Sequence, residues 1–203
     1  LIIFYWENEM KRLLLSSLVL VVVGGLQGCV SAPLIAAAGI GGAGVMVAQD
    51  RRTASVLLDD ESIENKSMAA INQNYATKTA HINVTSFNRN VLVSGEVKNT
   101  ADRLEIARQV ASVENVRVVY NQLVVSPTTS IGSRSNDTMI TSDVKLGLAR
   151  VKNFRSDYVK VVTENSTVFL MGLVNHSEAG IAADVASTTN GVARVVKLFE
   201  YID

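Results

Sequence analysis

The chain of 203 residues carries 19 basic and 19 acidic side chains, so it lacks the whole-chain positive footprint of a nucleic-acid binder. With 48% hydrophobic and 19% charged residues, it is too apolar for a disordered chain. One cysteine makes no internal disulfide and two histidines make no His-rich zinc site, which argues against zinc hydrolases and Cys/His nucleophiles, and no cofactor is expected.

Residues 1–9 precede Met10, which is followed at once by Lys11-Arg12 and then by the apolar stretch 13–23. A basic start, a short apolar run and small residues at its exit read as a secretory signal peptide over 10–28, with 1–9 as upstream sequence. The run is too short for a spanning helix, which needs about 20 apolar residues. At its end, Leu26-Gln27-Gly28-Cys29 resembles the bacterial lipobox, whose cysteine is acylated and becomes the first mature residue. Cys29 is therefore the expected lipidation site. Neither Val30 nor Ser31 is the aspartate of an inner-membrane retention signal. The expected location is the outer membrane, lipid-anchored and facing the periplasm.

Residues 29–60 read as a lipidated Gly/Ala-rich tether. Within it, Gly39-Ile40-Gly41-Gly42-Ala43-Gly44 fits G-x-G-x-x-G, but the strand and context that a dinucleotide site needs are missing. A flexible tether leading to the polar end Gln49-Asp50-Arg51-Arg52 explains the glycines.

Beyond the tether the chain repeats itself. Residues 82–97 align with 159–174 at a constant offset of 77, placing Val84 on Val161, Val91 on Val168 and Gly95 on Gly172. The same offset carries Asp60 onto Asp137, Ile63 onto Ile140 and Ile71 onto Leu148. Past a two-residue shortening, Gln109-Val110-Ala111-Ser112 answers Asp184-Val185-Ala186-Ser187. Two units are thus expected, 61–125 and 136–203, joined by a linker over 126–135. In each, an aspartate (Asp59-Asp60 or Asp137) is positioned to cap a helix carrying Ile63, Ile71 and Tyr75, or Ile140, Val144 and Leu148. Two strands follow, with Asn88-Arg89 and Asn165-Ser166 as hairpin turns. A second helix starts near Thr100 or Ser177, and a β-branched strand closes each unit at 116–125 or 192–202. The fold class is α+β: two tandem αββαβ units, each with a three-stranded mixed sheet and two helices on one face.

The run 164–174, with Asn165-Ser166 at its turn and Gly172 in its second strand, resembles the hairpin signature of the BON domain, as does the terminal Gly191-Val192 with Val195. A lipobox followed by two such units resembles the dual-BON outer-membrane lipoproteins. That resemblance implies a non-enzymatic role in envelope integrity and division-site localisation, through anionic phospholipid such as phosphatidylglycerol or cardiolipin. It also implies contact through the first helix of the second unit, where Asp137, Thr138 and Met139 lie.

The residues offer little for catalysis. His81 and His176 are not at matched repeat positions and read as solvated surface histidines, and no carboxylate pair or activated nucleophile is placed by the repeat. Lipid contact has more support. Lys145, Arg150, Lys152, Arg155 and Lys160 fall within sixteen residues of a unit whose net charge is only −1. On the same helix, Met139 and Leu146 lie off the core stripe. An apolar wedge flanked by cations is how a protein touches an anionic bilayer. The competing reading is a periplasmic scaffold that docks an envelope-assembly or division protein.

Overall fold

The computed structural model describes residues 50–74 and 81–203. Cys29, the signal stretch, the glycines of 39–44 and Tyr75 lie outside the described residues. The first unit contains α1 (Ala54–Asn74), β1 (His81–Phe87), β2 (Asn90–Val97), α2 (Thr100–Ala111) and β3 (Val118–Val125). The second contains α3 (Ile131–Arg150), a 3₁₀ turn (Ser156–Tyr158), β4 (Val159–Glu164), β5 (Thr167–Val174), α4 (His176–Thr188) and β6 (Arg194–Tyr201). In each sheet the middle strand pairs antiparallel with its predecessor and parallel with its successor. These are two tandem αββαβ units with mixed sheets.

Both first helices start earlier than the aspartates suggest. Thr53 opens α1, its hydroxyl accepting from Val56 N at 3.4 Å. Ser130 caps α3, accepting from Ser133 N at 3.2 Å. Residues 54–60 and 131–135 are therefore helical rather than tether and linker. The helix-capping role assigned to Asp60 and Asp137 is corrected accordingly. Both sit in the second helical turn, buried, and each reaches across to the hairpin of its own unit. Asp60 accepts from Asn88 N at 2.9 Å and Arg89 N at 2.7 Å. Asp137 accepts from Asn165 N at 2.9 Å and Ser166 N at 2.8 Å. Those four turn residues all have positive φ, between 46° and 63°, the conformation of a two-residue I′ hairpin. Arg89 and Ser166 are poor at positive φ, and the carboxylate below each turn holds them there with charge-assisted bonds.

One register correction concerns the second helices. Asn99 and Asn175 are the N-caps, accepting from Asp102 N and Glu178 N, and they stand 76 residues apart. The buried pairs Ile106/Ala182 and Val110/Ala186 keep that spacing. Only one residue is lost, Lys98 having no counterpart, and Val110 corresponds to Ala186 rather than Val185. The buried side chains of α4 are alanines where α2 has Ile106 and Val110. At the end of these helices, Asn115 (φ 69°) stands where the second unit has Gly191 (φ 84°). Asparagine is one of the few side chains suited to that region.

The glycines in the middle strands are explained by a close approach of backbone. A Cβ on Gly95 would stand 1.9 Å from the carbonyl oxygen of His81, and one on Gly172 would stand 2.4 Å from that of Tyr158. Backbone at the entry of the first strand is what crowds the site. Gly172→Leu is expected to cost the second unit about 1–3 kcal/mol by overpacking. A denaturant midpoint unchanged from wild type would contradict this.

Each sheet is covered on both faces. Val91, Val93 and Val97 of β2 pack with Ile63, Ile71, Ile106 and Val110 on the helix side. In the second unit, Val168, Leu170 and Val174 of β5 pack with Ile140, Val144, Leu148 and the α4 alanines. The alternate residues form a third core in which Phe87 and Leu92 meet Phe169, Met171, Leu173 and Leu198. The two sheets are packed face to face, and polar contacts rim them. Glu200 accepts from Asn88 Nδ2 at 2.8 Å and Arg117 Nη1 at 3.1 Å, while Lys160 Nζ donates to Glu64 at 2.9 Å.

Candidate membrane-contact surface

α3 buries one stripe and leaves the opposite one open. Asp137, Ile140, Val144 and Leu148 face inward at three- and four-residue steps. Away from that stripe, Ile131, Met139 and Leu146 are 81%, 66% and 53% exposed. At about 100° per residue these three side chains fall within about 80° of helix circumference. Lys145 and Arg150 flank them on either side, Lys152 follows in the loop, and Thr138 lies beside Met139; all four are exposed. Among the described residues, Lys145, Arg150 and Lys152 form none of the ion pairs. An exposed apolar ridge bordered by unpaired cations is the result.

The five predicted cations therefore do not act as one patch. Arg155 is held by Asp157, with its Nε donating at 3.0 Å, and it lies over the Tyr158 ring. That hydrogen bond keeps the Asp157 carboxyl below its ordinary range and the Arg155 guanidinium above its own. Lys160 leaves the surface set altogether. Its ammonium donates to Glu64 at 2.9 Å and to the carbonyl of Ser86 at 3.2 Å, bridging the two units. Asp137 leaves it too, since it is buried and both carboxylate oxygens are engaged by turn amides.

Sequence reasoning missed two features at the unit boundary. The first is Arg51, read as part of a polar tether end. Its guanidinium forks onto Glu178, both bonds at 2.7 Å, and stands 3.7 Å over the Tyr158 ring. The bond to Arg51 holds the Glu178 carboxyl below its usual range. Arg52 turns the other way, to Asp60 at 2.9 Å and over the ring of Phe87. Consecutive arginines thus fasten the chain entering α1 to both units. The second is His81, read as a solvated surface histidine. It is mostly covered, with Nε2 at 3.5 Å from Glu164 and 3.1 Å from Asn83 Nδ2. Burial pushes the Glu164 carboxyl upward, against the opposing bond from Asn83. His176 does lie on the surface, stacked on Tyr201 and 2.8 Å from Asp203.

Among the described residues, no group of three or more His, Cys, Asp or Glu side chains could hold a metal ion. No described helix is long and apolar enough to cross a membrane.

Residues 59–127 and 136–203 each match the BON domain. The chain is 38% identical over 179 residues to the outer membrane lipoprotein DolP of Haemophilus influenzae, covering 88% of this chain and 91% of that protein. It belongs to the dual-BON outer-membrane lipoprotein family. A 21 kDa hemolysin of Actinobacillus pleuropneumoniae is 31% identical over 75% of this chain and 79% of its own. The osmotically-inducible protein Y of Escherichia coli is 30% identical over 68% of this chain and 70% of its own. Family membership agrees with the paired αββαβ units, each matched segment containing most of the first helix, the whole second helix and all three strands of one unit.

Proposed function

We propose that the protein is a non-enzymatic, Cys29-acylated lipoprotein facing the periplasm, whose second BON unit binds anionic phospholipid and so supports envelope integrity and division-site localisation. The observation that carries this reading is the outer face of α3, with Ile131, Met139 and Leu146 exposed between Lys145 and Arg150. Basic residues near an anionic surface contribute about 1 kcal/mol each, and buried apolar area adds to them. Three free cations plus a short apolar ridge give weak, reversible contact; acylation at Cys29 keeps the unit close enough for that contact to matter.

Replacing Lys145, Arg150 and Lys152 together by Glu is expected to abolish binding to phosphatidylglycerol vesicles with the fold intact, because none lies on the core stripe. By the same values, losing three attractions weakens binding by more than a hundredfold before repulsion is counted. Salt near 0.5 M weakens the wild type as the Debye length shrinks to a few ångströms. Met139→Asp matches the charge reversals if the ridge enters the interface. Full vesicle binding by the triple variant would remove α3 as the site. A scaffold instead keeps its cellular localisation through all four changes and loses it only with Cys29→Ala.

A further inference from the structure

One stripe of α3 runs from the exposed cations into a crevice between the units. Arg134, Thr138, Thr141 and Lys145 succeed one another at four-, three- and four-residue steps, so they form one column along the helix. The first three line a crevice of about 210 Å³, closed on the far side by His81 and Asn83 of β1 and by Thr163 and Glu164 of β4. This volume is below the range of about 300–1,000 Å³ that holds drug-sized ligands, so only a small polar fragment fits.

The lining specifies what kind of fragment. Glu164 is a buried acceptor, with one oxygen taken by Asn83 Nδ2 at 2.8 Å and the other facing His81. Thr141 and Thr163 hold their hydroxyls 2.7 Å apart at the wall. Arg134 donates from Nη2 to the carbonyl of Thr129 at 3.0 Å, but its Nε is buried with no hydrogen-bond partner. A buried guanidinium N–H without an acceptor is costly and rare. With Glu164 and Asp137 beside a single arginine, the crevice disfavours a free anion and suits neutral hydroxyls that can donate to a carboxylate. An anionic oxygen belongs at the mouth, beside Arg134.

We infer that the crevice receives the glycerol headgroup of phosphatidylglycerol, its hydroxyls meeting Glu164 and the threonine pair while its phosphate lies at the mouth beside Arg134. This inference rests on the lipid-binding reading above and adds a headgroup preference to it. Met139 and Leu146, on the neighbouring stripe, face the side from which an acyl chain arrives. Charge alone predicts no preference between phosphatidylglycerol and phosphatidylserine, each carrying one net negative charge. The crevice does predict one.

The test uses the full acylated chain carrying Ser142→Cys on the exposed face of α3, labelled with an environment-sensitive dye. Cys29 is the only native cysteine, and acylation occupies it. The dye signal is read in phosphatidylcholine vesicles containing equal fractions of either phosphatidylglycerol or phosphatidylserine. A preference of about fivefold for phosphatidylglycerol is expected, the effect of roughly one net hydrogen bond. Glu164→Gln with Thr163→Val should erase it and leave the charge-driven signal. Thr141→Val, which leaves the Glu164–Asn83 bond in place, gives the same readout if the double variant melts early. Equal signals in both vesicles, or a preference that survives these variants, would overturn the crevice site. No signal in either vesicle would overturn the lipid reading itself.

Discussion

Asp60→Ala is expected to destabilise the first unit by about 3–5 kcal/mol, and Asp137→Ala the second by about 2–4 kcal/mol, both read from urea unfolding. Asp60 is the more heavily engaged carboxylate. It accepts from the amides of Asn88 and Arg89, from Ser86 Oγ at 2.6 Å and from Arg52 Nη1 at 2.9 Å. Removing it takes one partner from the Arg52 guanidinium, which keeps its bonds to Asp50, and leaves two turn amides and the buried Ser86 hydroxyl without their acceptor. Among the described residues Asp137 serves only the two amides of its turn, so its loss costs less. Both deletions also release residues held at positive φ. The Asn variant at either position keeps one acceptor oxygen and is expected to lose about half as much. If each alanine variant lost under 1 kcal/mol, the I′ turns would have to be stable without the carboxylate beneath them.

The repeat made these aspartates visible, because an acidic residue recurs at the offset that aligns the strands. Their role was not legible. An aspartate ahead of an apolar helical stripe has the same local pattern whether it caps the helix or reaches a turn about 28 residues away. The hairpin strands, their turns and the inward valines were readable because each follows from period-2 alternation and turn chemistry within one unit. Contact between the sheets was harder to see. Leu92, Phe169 and Met171 interrupt the alternation of a half-exposed strand, and a near-continuous apolar run signals burial on both faces. That signal was present, but it does not name the covering surface. Lys160 and His81 were misplaced for the same reason, since each is covered by the opposite unit. The Met139 face was legible because it needs only the period of one helix.

Phe169→Asp is expected to separate the two units without unfolding either. Phe169 is 2% exposed and contributes to the apolar layer between the sheets, opposite Phe87 and Leu92. Truncating a buried phenylalanine costs about 3–5 kcal/mol, and a carboxylate with no partner in that layer adds a desolvation penalty. The helix-side cores contain none of these residues, so each keeps its own packing. The wild type should melt in one transition and the variant in two, with amide exchange rising first along β2 and β5. A single transition at the wild-type midpoint would show that the layer does not couple the units. Separation also distinguishes the two levels of the lipid reading. It leaves Met139, Lys145 and Arg150 in place on α3, so charge-driven vesicle binding should persist. It removes His81 and Asn83 from Glu164, which opens the crevice, so any preference for the glycerol headgroup should disappear with the second transition's appearance.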